Sequence, residues 1–363
     1  DTDPENMLAE DEPVRVFHDR MKEALSLNDM MVVGVVNEED GGVFNPRSLH
    51  RIYALTRFAE TQRWPDPDPE RNTSGVVLSD LIAPSVVDNV KQGSLGEVQF
   101  EWLMPTPPLT REAAQGVLGD ARDLPFLNGT LVSEDGKAVA LYLPLTAKKA
   151  SHRIYTALTD QMPLIWLWGP THLTLRKQEQ LRGSETLPVI EELGRVAAFQ
   201  AESPEAFSGL MRSLARRLES PDPAAGWSAV AESVQSWRQA RDGGNPRDLP
   251  RVRELKQQGQ PERANALAIE HSHQMNQALQ EYLLQEAGTT QSSLWFRWAA
   301  LHAASLDNQV LGGKALADRV ADFADRMRQG LEQAPQLPGL SDRVDRTLEA
   351  STGFPGQDQV HIT

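Results

Sequence analysis

The amino-acid composition changes near residue 160, and this change constrains the fold more than any single motif. From Gln178 to Ala350 the chain is rich in Ala, Gln, Glu, Arg and Leu, with almost no β-branched runs, so this part is predicted to be helical. Its longest helices are predicted at 261–287 and 292–333. We find no repeat period, which favours a bundle or a long helical hairpin over a solenoid. Glycine and proline clusters predict helix breaks at 219–223, 242–246, 288–290 and 335–338.

The first 160 residues show a different pattern, in which strands and helices alternate. The nearly continuous apolar run Met30–Val36 is typical of a strand buried on both faces. Asn45 and Pro46 supply an N-cap and a first-turn proline for a helix that reaches about Thr61. Similar patterns predict helices at 13–26, from Thr110 and at 148–158, and strands at 75–83, 97–103, 130–133, 138–145 and 357–363.

This order predicts an α+β protein built as a split β-α-β sandwich, with its helices on one face of a sheet and a large helical insertion. The chain length of 363 residues suits about two domains. We expect an α/β domain at 1–160, completed by a strand at 355–363. A mainly helical insertion domain is expected at 161–354.

The charge of the chain argues against nucleic-acid binding. Acidic residues outnumber basic ones 51 to 36, and the excess is concentrated in residues 1–40. Such a surface repels phosphates, and the basic cluster Arg212–Arg217 has helical rather than patch spacing. Cysteine is absent, which excludes disulfides and thiolate chemistry. The longest apolar run, Met162–Trp168, is too short to span a bilayer, and the first residues do not resemble a signal peptide.

No group of residues forms a recognisable catalytic or metal-binding motif. The glycines of Asp40–Gly42 follow two glutamates, which repel phosphate, and no glycine-rich phosphate motif surrounds them. His271 and His273 lie two residues apart in a predicted helix and point in different directions. Asp66 and Asp68 lack the remaining ligands of a calcium loop, so they are interpreted as a solvated turn. We therefore expect no enzyme activity, no metal and no cofactor.

Tryptophan is abundant, with eight residues beside only four tyrosines. One interpretation is that these side chains fill a core or a domain interface. The other is that some of them line an apolar cavity, because lipid pockets have walls of aromatic and methionine side chains. The candidate residues for such a cavity are Trp102, Met104, Met162, Trp166, Trp168, Trp295, Phe296 and Trp298.

Three stretches resemble a known family. They are the first 46 residues, the segment Phe100–Ala113 and the segment Leu131–Thr146, which reads LVSEDGKAVALYLPLT. Together they resemble the first periplasmic loop of exporters in the resistance-nodulation-division (RND) superfamily. The lipid-exporting hydrophobe/amphiphile and mycobacterial-membrane-protein-large branches are the most similar. The likeness covers about 1–160 and 355–363 and does not extend to about 165–350.

The resemblance implies a periplasmic porter domain at the bacterial inner membrane, that is, a soluble part of an integral membrane protein. Its cargo would be a hydrophobic lipid such as a sterol, a hopanoid or another polycyclic lipid, bound between the sandwich and the insertion. The implied partners are the transmembrane helices, the second periplasmic loop, and an adaptor or lipid carrier of the periplasm. The alternative is that the insertion is a docking scaffold, for an adaptor or a second transporter copy, that binds no lipid.

Overall fold

A computed structural model describes residues 9, 11–24, 28–92, 97–178, 181, 186–241, 243–289, 293–351 and 358–363. The described helices are α1 Pro13–Ala24, α2 Pro46–Glu60, α3 Arg111–Asp123, α4 Ala150–Arg176, α5 Thr186–Gln200, α6 Pro204–Leu218, α7 Trp227–Ala240, α8 Pro250–Gln257, α9 Pro261–Thr289, α10 Ser293–Ser305, α11 Gly313–Glu332 and α12 Leu340–Ser351. The described strands are β1 Asp29–Asn37, β2 Arg63–Pro65, β3 Thr73–Gly75, β4 Asp88–Gln92, β5 Val98–Trp102, β6 Ala138–Leu145 and β7 Asp358–Ile362. The chain is therefore mixed α and β, with a mainly helical second half.

The main sheet has three strands in the order β6-β1-β7, and β1 runs antiparallel to both neighbours. Burial alternates along β1, because Met31, Val33 and Val35 are buried whereas Val32 and Val36 are only half-buried. The prediction of a strand buried on both faces was wrong. An antiparallel sheet needs a helical layer on one face only, and the buried side chains of β1 belong to the same core as those of α2.

The last strand is joined to α2 by a buried ion pair. Arg51 Nη1 donates to Asp358 Oδ2 over 2.6 Å, and both side chains are almost fully buried. Asp358 also accepts hydrogen bonds from Asn37 Nδ2 at 2.9 Å and Ser48 Oγ at 2.5 Å. Burial lowers the pKa of Arg51, which the bond to Asp358 opposes. The strand predicted at 357–363 is confirmed over Asp358–Ile362, and this contact holds it to the α/β half.

The prediction of a strand at 75–83 was wrong for most of these residues. Thr73–Gly75 forms β3, and a short 3₁₀ turn follows at Leu78–Asp80. The segment contacts the edge of β6 at isolated points, one of which is the bond from Val77 N to the carbonyl oxygen of Pro144. The nitrogen of Pro144 faces the same edge and cannot donate, so the ladder is interrupted there. The strand expected at 130–133 is likewise reduced to a turn with an isolated bridge at Val132.

Helix α4 is much longer than the predicted helix at 148–158. It continues through Pro163 and Pro170 to Arg176 and crosses the boundary that the composition predicts near residue 160. Pro170 has no N–H to donate to the carbonyl oxygen of Trp166 one turn earlier, and Arg51 Nε of α2 donates to that oxygen instead, over 3.3 Å. Gly169 permits the close approach, because a Cβ there would lie 2.7 Å from Arg51 Cγ.

The second half is a helical bundle, as the composition predicts. The helix expected at 292–333 is divided into α10 and α11, however, by a turn at 306–312. Ser272 of α9 stabilises this turn, since its hydroxyl donates to the carbonyl oxygen of Gln309 and accepts from the N–H of Leu311. One hydrophobic core joins the bundle to the sheet. Among the described residues no helix is both long and apolar enough to cross a bilayer.

Candidate functional site

A cleft of about 530 Å³ lies where the α/β half meets the helical half. The α/β half contributes the end of α2 with residues 61 and 62, and α4 contributes one turn at 157–161. The helical half contributes residues 195–200 of α5 and the end of α10 with the turn that follows it. The volume is in the range of small-molecule sites.

The apolar part of the wall is built mainly from two phenylalanines. Phe58 and Phe199 pack edge to face with their ring centroids 5.1 Å apart. Val196, Leu306 and Ala157 extend the apolar surface on both sides. Four of these side chains are nearly fully buried in the core, namely Phe58, Phe199, Val196 and Leu306. Ala157 is half-buried.

Three buried polar atoms of the cleft have no hydrogen-bond partner among the described residues. They are Gln161 Oε1 on α4, His302 Nδ1 on α10 and Asn308 Oδ1 in the turn after it. A buried polar atom without a partner is destabilising by about 1–3 kcal/mol, so such atoms are rare in folded proteins. All three atoms belong to residues that line the cleft, although the atoms themselves are buried beneath its surface.

His302 is the most deeply buried of the three residues, with 8% of its surface exposed. Its ring stacks on Phe323 of α11, with centroids 3.9 Å apart and planes 8° from parallel. Burial lowers the pKa of His302 to about 4, because the attraction of Glu192 is weaker than the loss of solvation and the repulsion by nearby arginines. The imidazole is therefore neutral at neutral pH.

Charged side chains of the cleft are largely paired. Arg195 donates to both carboxylate oxygens of Glu192, at 2.6 and 2.9 Å, and Arg57 contacts Glu60 over 2.7 Å. Burial raises the pKa of Glu60, which Arg57 and Arg195 oppose. Burial also acts to raise the pKa of Glu192, but Arg195 outweighs it and the pKa of that carboxyl is lowered. Asp160 adds a further exposed carboxylate to the lining.

A buried histidine chain lies beside a second, smaller cavity of about 150 Å³. The carbonyl oxygen of Pro108 lies 3.1 Å from His50 Nε2, His50 Nδ1 lies 3.1 Å from His172 Nδ1, and His172 Nε2 lies 2.9 Å from Glu191 Oε1. Burial lowers the pKa of both imidazoles. This row of hydrogen-bonded histidines connects α2, α4 and α5 with the loop before α3. His172 and Glu191 line the cavity, and Trp168 stacks on the His172 ring.

Most of the eight aromatic and methionine candidates belong to the core. Trp166, Trp295, Phe296 and Trp298 are at most 1% exposed. The indole N–H groups of Trp295 and Trp298 donate to the carbonyl oxygens of Ala225 and Leu193, each over 2.8 Å, which is the arrangement of structural tryptophans. The described lining of the 530 Å³ cleft contains none of the eight.

The remaining candidates are separated in space. Trp168 lines the smaller cavity and touches Gly194 of α5, where a Cβ would lie only 2.1 Å from its ring. Met162 is half-buried on α4, and Met104 is buried in the loop after β5. The structure therefore does not bring the eight residues together around one cavity. Spacing along the sequence could not reveal this, because it does not show whether an apolar side chain faces another side chain or a void.

Trp102 lies on the surface in the β4–β5 hairpin. Alternate residues of a strand share a face, so Val98, Phe100 and Trp102 point the same way, and Val90 pairs directly with Phe100. All four are exposed, with 57%, 73%, 49% and 45% of their respective surfaces accessible. The hairpin thus presents an apolar face to solvent.

The polar motifs considered in the sequence have structural roles. Asp66 is buried rather than solvated, because its carboxylate accepts hydrogen bonds from Ser74 Oγ and Asp68 N. His273 pairs with Asp307 over 2.7 Å on the surface. The Asp40–Gly42 turn packs on the hairpin turn that ends at Gly136, whose carbonyl oxygen would lie 2.2 Å from a Cβ at Gly42. Within the described part of the chain, no three acidic or histidine side chains are grouped as metal ligands.

Comparison of the chain with protein-family models, curated proteins and solved structures found no match. The candidate site therefore stands on its own geometry. The residues that sequence reasoning missed are Gln161, His302 and Asn308. They lie in ordinary helical and turn sequence, and nothing in their spacing distinguishes them from surface residues.

Proposed function

We propose that this chain is the periplasmic domain of an inner-membrane RND exporter and that its cleft binds a hydrophobic lipid in transit. The cargo would be a sterol, a hopanoid or another polycyclic lipid. The family likeness of residues 1–160 and 355–363 supports the proposal. So does the direction of the strands, because β6 and β7 are parallel to each other with β1 between them, and a split β-α-β unit would have this order.

The observation that carries the proposal is the composition of the cleft. At the junction of the two halves of the chain, it combines a mainly polar lining with a smaller apolar patch around Phe58 and Phe199. A polycyclic lipid with one polar end suits both parts of this surface. The transmembrane helices and second periplasmic loop of the exporter would receive it.

A cleft-filling substitution tests the cargo site. Ala157→Leu introduces a larger side chain at a half-buried position of the wall, whereas Thr159→Leu makes a similar change at an exposed position of the same helix. Binding of radiolabelled cholesterol, supplied from cyclodextrin, is measured by equilibrium dialysis. We expect saturable binding to the wild type and to Thr159→Leu, weakened about tenfold or more by Ala157→Leu. No saturable binding to the folded wild type, or equal binding to both variants, would contradict the proposal.

The alternative function is docking of an adaptor or of a second copy without lipid binding. Its strongest support is the exposed apolar face of the β4–β5 hairpin, because such faces commonly mark interaction sites. The long helices support it less, since Leu284 is the one exposed large hydrophobic side chain among the described residues after Gln161. Sedimentation of the wild type and of Phe100→Glu separates the two functions. A self-association that Phe100→Glu abolishes, in a chain that binds no cholesterol, would favour docking.

A further inference from the structure

We infer that the chain has a second binding site, which holds a phosphate monoester attached to an apolar chain, as in a phosphatidic acid. The site is a pocket of about 440 Å³, which we call the basic pocket. It lies between the first turn of α2, the last two turns of α4 with the two residues that follow, and one face of α12. Among the described residues it shares no lining with the 530 Å³ cleft, so the inference goes beyond the proposed function.

The basic pocket is lined by side chains of one charge. Its described lining contains four cations and no carboxylate, and the cations are Arg47 of α2, Lys177 at the end of α4, and Arg343 and Arg346 of α12. Acidic residues outnumber basic ones 51 to 36 in the chain, so composition alone does not account for this lining. A concave surface of one charge concentrates ions of the opposite charge. The basic pocket therefore attracts anions, although the chain has a net charge of −15.

The acidic residues closest in sequence do not neutralise these cations. Helix α12 carries Asp342, Asp345 and Glu349, and none of them belongs to the described lining. Asp345 pairs instead with Arg212 of α6 over 2.6 Å. The ion pairs found in the part of the chain that the structure describes include none of the four cations. Their charge is available to a ligand.

Hydrogen bonds between α4 and α12 fix the wall of the basic pocket. Thr174 Oγ1 and Thr347 Oγ1 lie 2.8 Å apart, and Arg343 Nη1 donates to Gln178 Oε1 over 2.7 Å. Gln178 is buried, so its amide oxygen orients the guanidinium without cancelling the charge. This bond uses one of the five N–H donors of a guanidinium, and the others remain for an anion.

The charge and the apolar part of the lining define the ligand. Several cations favour a dianion over a monoanion, and a phosphate monoester carries a charge of about −1.5 to −2 at neutral pH. Guanidinium groups also match phosphate oxygens with two parallel N–H bonds. Pro170, Leu173 and Ala350 complete the lining with apolar surface. An apolar chain beside the phosphate covers this surface, so a phosphatidic acid fits better than a soluble phosphate ester.

Isothermal titration calorimetry with four water-soluble probes tests the ligand class. Dihexanoyl phosphatidic acid has the phosphate monoester and the chains, and dihexanoyl phosphatidylcholine has the same chains with a zwitterionic head group. Hexanoate is a monoanion, and glycerol 3-phosphate is a phosphate monoester without chains. We expect the phosphatidic acid to bind saturably, and about tenfold or more tightly than each of the other three.

Two results would overturn the inference. One is the absence of saturable binding of both phosphate monoesters to the folded protein, and the other is equal binding of the phosphatidic acid and the phosphatidylcholine. Equal binding of the two phosphate monoesters would overturn the lipid part and assign the basic pocket to a soluble phosphate ester. The cargo cleft is tested separately, with cholesterol, so failure of one site is distinguishable from failure of the other.

Matched variants locate the site. Arg346→Gln and Lys177→Gln each remove one exposed cation of the basic pocket, whereas Arg216→Gln removes one exposed cation of α6 outside its lining. All three change the net charge equally, so a general attraction of anions would respond to them alike. We expect the first two to weaken binding of the phosphatidic acid about fivefold or more. We expect Arg216→Gln, and Ala157→Leu in the cargo cleft, to leave it unchanged.

Circular dichroism confirms that each variant is folded. Equal weakening by Arg346→Gln, Lys177→Gln and Arg216→Gln would show a general electrostatic attraction and overturn the inference. Weakening by Ala157→Leu without an effect of the two pocket variants would place the phosphatidic acid in the cargo cleft and overturn it as well.

Discussion

Replacing Asp358 by Asn tests how the last strand is held to the rest of the chain. The carboxylate accepts three hydrogen bonds, from Asn37, Ser48 and Arg51, and the Arg51 guanidinium is buried with it. Asparagine keeps the shape and part of the hydrogen bonding but removes the charge that balances Arg51. A buried ion that loses its partner destabilises a protein by about 3–5 kcal/mol, so we expect the free energy of unfolding to fall by this amount.

The sharper part of this prediction is the double variant. Arg51→Met with Asp358→Asn removes both charges, and the amide at 358 can still bond to Asn37 and Ser48. Arg51→Met also removes the bond to the carbonyl oxygen of Trp166, at a cost of about 1–3 kcal/mol, which is less than the cost of an uncompensated buried charge, about 3–5 kcal/mol. We therefore expect the double variant to be more stable than Asp358→Asn alone, although it carries one change more. A surface control is Asp345→Asn, which breaks the half-exposed pair with Arg212 and should change stability by at most about 0.5 kcal/mol.

Urea unfolding followed by tryptophan fluorescence measures the wild type, the single variants Arg51→Met and Asp358→Asn, the double variant and the surface control. The slope of the transition checks that the unfolded reference is unchanged. The reasoning is refuted if Asp358→Asn costs no more than the surface control. It is also refuted if the effects of Arg51→Met and Asp358→Asn add without coupling, because an uncompensated buried charge requires that the second substitution relieve the first.

Two further predictions concern packing and pH. Gly194→Ala should destabilise the fold by roughly 1–3 kcal/mol, because its Cβ would overlap the Trp168 ring. Gly209→Ala lies in an exposed helical position with open space around it and should stabilise the fold by about 0.5–1 kcal/mol. Thermal unfolding measures both variants, and a destabilising Gly209→Ala or a neutral Gly194→Ala would contradict the packing argument. The pKa of His302 is about 4 in the folded state, against 6.5 for the ordinary side chain. Between these two values the unfolded chain binds more protons than the folded one, so stability must fall as the pH is lowered from about 6.5 to 4. The loss of stability due to His302 is about 3 kcal/mol. We therefore expect the stability difference between the wild type and His302→Gln to change by this amount between about pH 6.5 and pH 4. A constant difference would show that the pKa of His302 is not lowered by burial.

Local chemistry was sufficient to predict many elements from the sequence. Asn45 caps α2 and Thr110 caps α3, each through a side-chain oxygen that accepts a backbone N–H, as the cap residue types indicate. The helical composition after residue 178 was likewise predictable, and so were the breaks between α6 and α7, between α7 and α8, and between α11 and α12, because glycine, proline and capping residues act on their own neighbours in the chain. The turn at 306–312 was not predicted. The outline of an α+β chain with a helical second half is therefore contained in the sequence.

Contacts between distant segments decided the rest. Helix α4 passes Pro170 because Arg51 supplies a bond to the carbonyl oxygen that this proline leaves free, and the edge of β6 is interrupted because the nitrogen of Pro144 faces it. The tryptophans could be counted in the sequence, but only packing determined that most of them are buried and that Trp227, Trp295 and Trp298 contact one another. The candidate site is the clearest case, since Gln161 and His302 meet across a cleft although they lie far apart in the chain. Periodicity reports which side of a helix is apolar, whereas an unpaired polar atom is a property of everything that surrounds it in three dimensions.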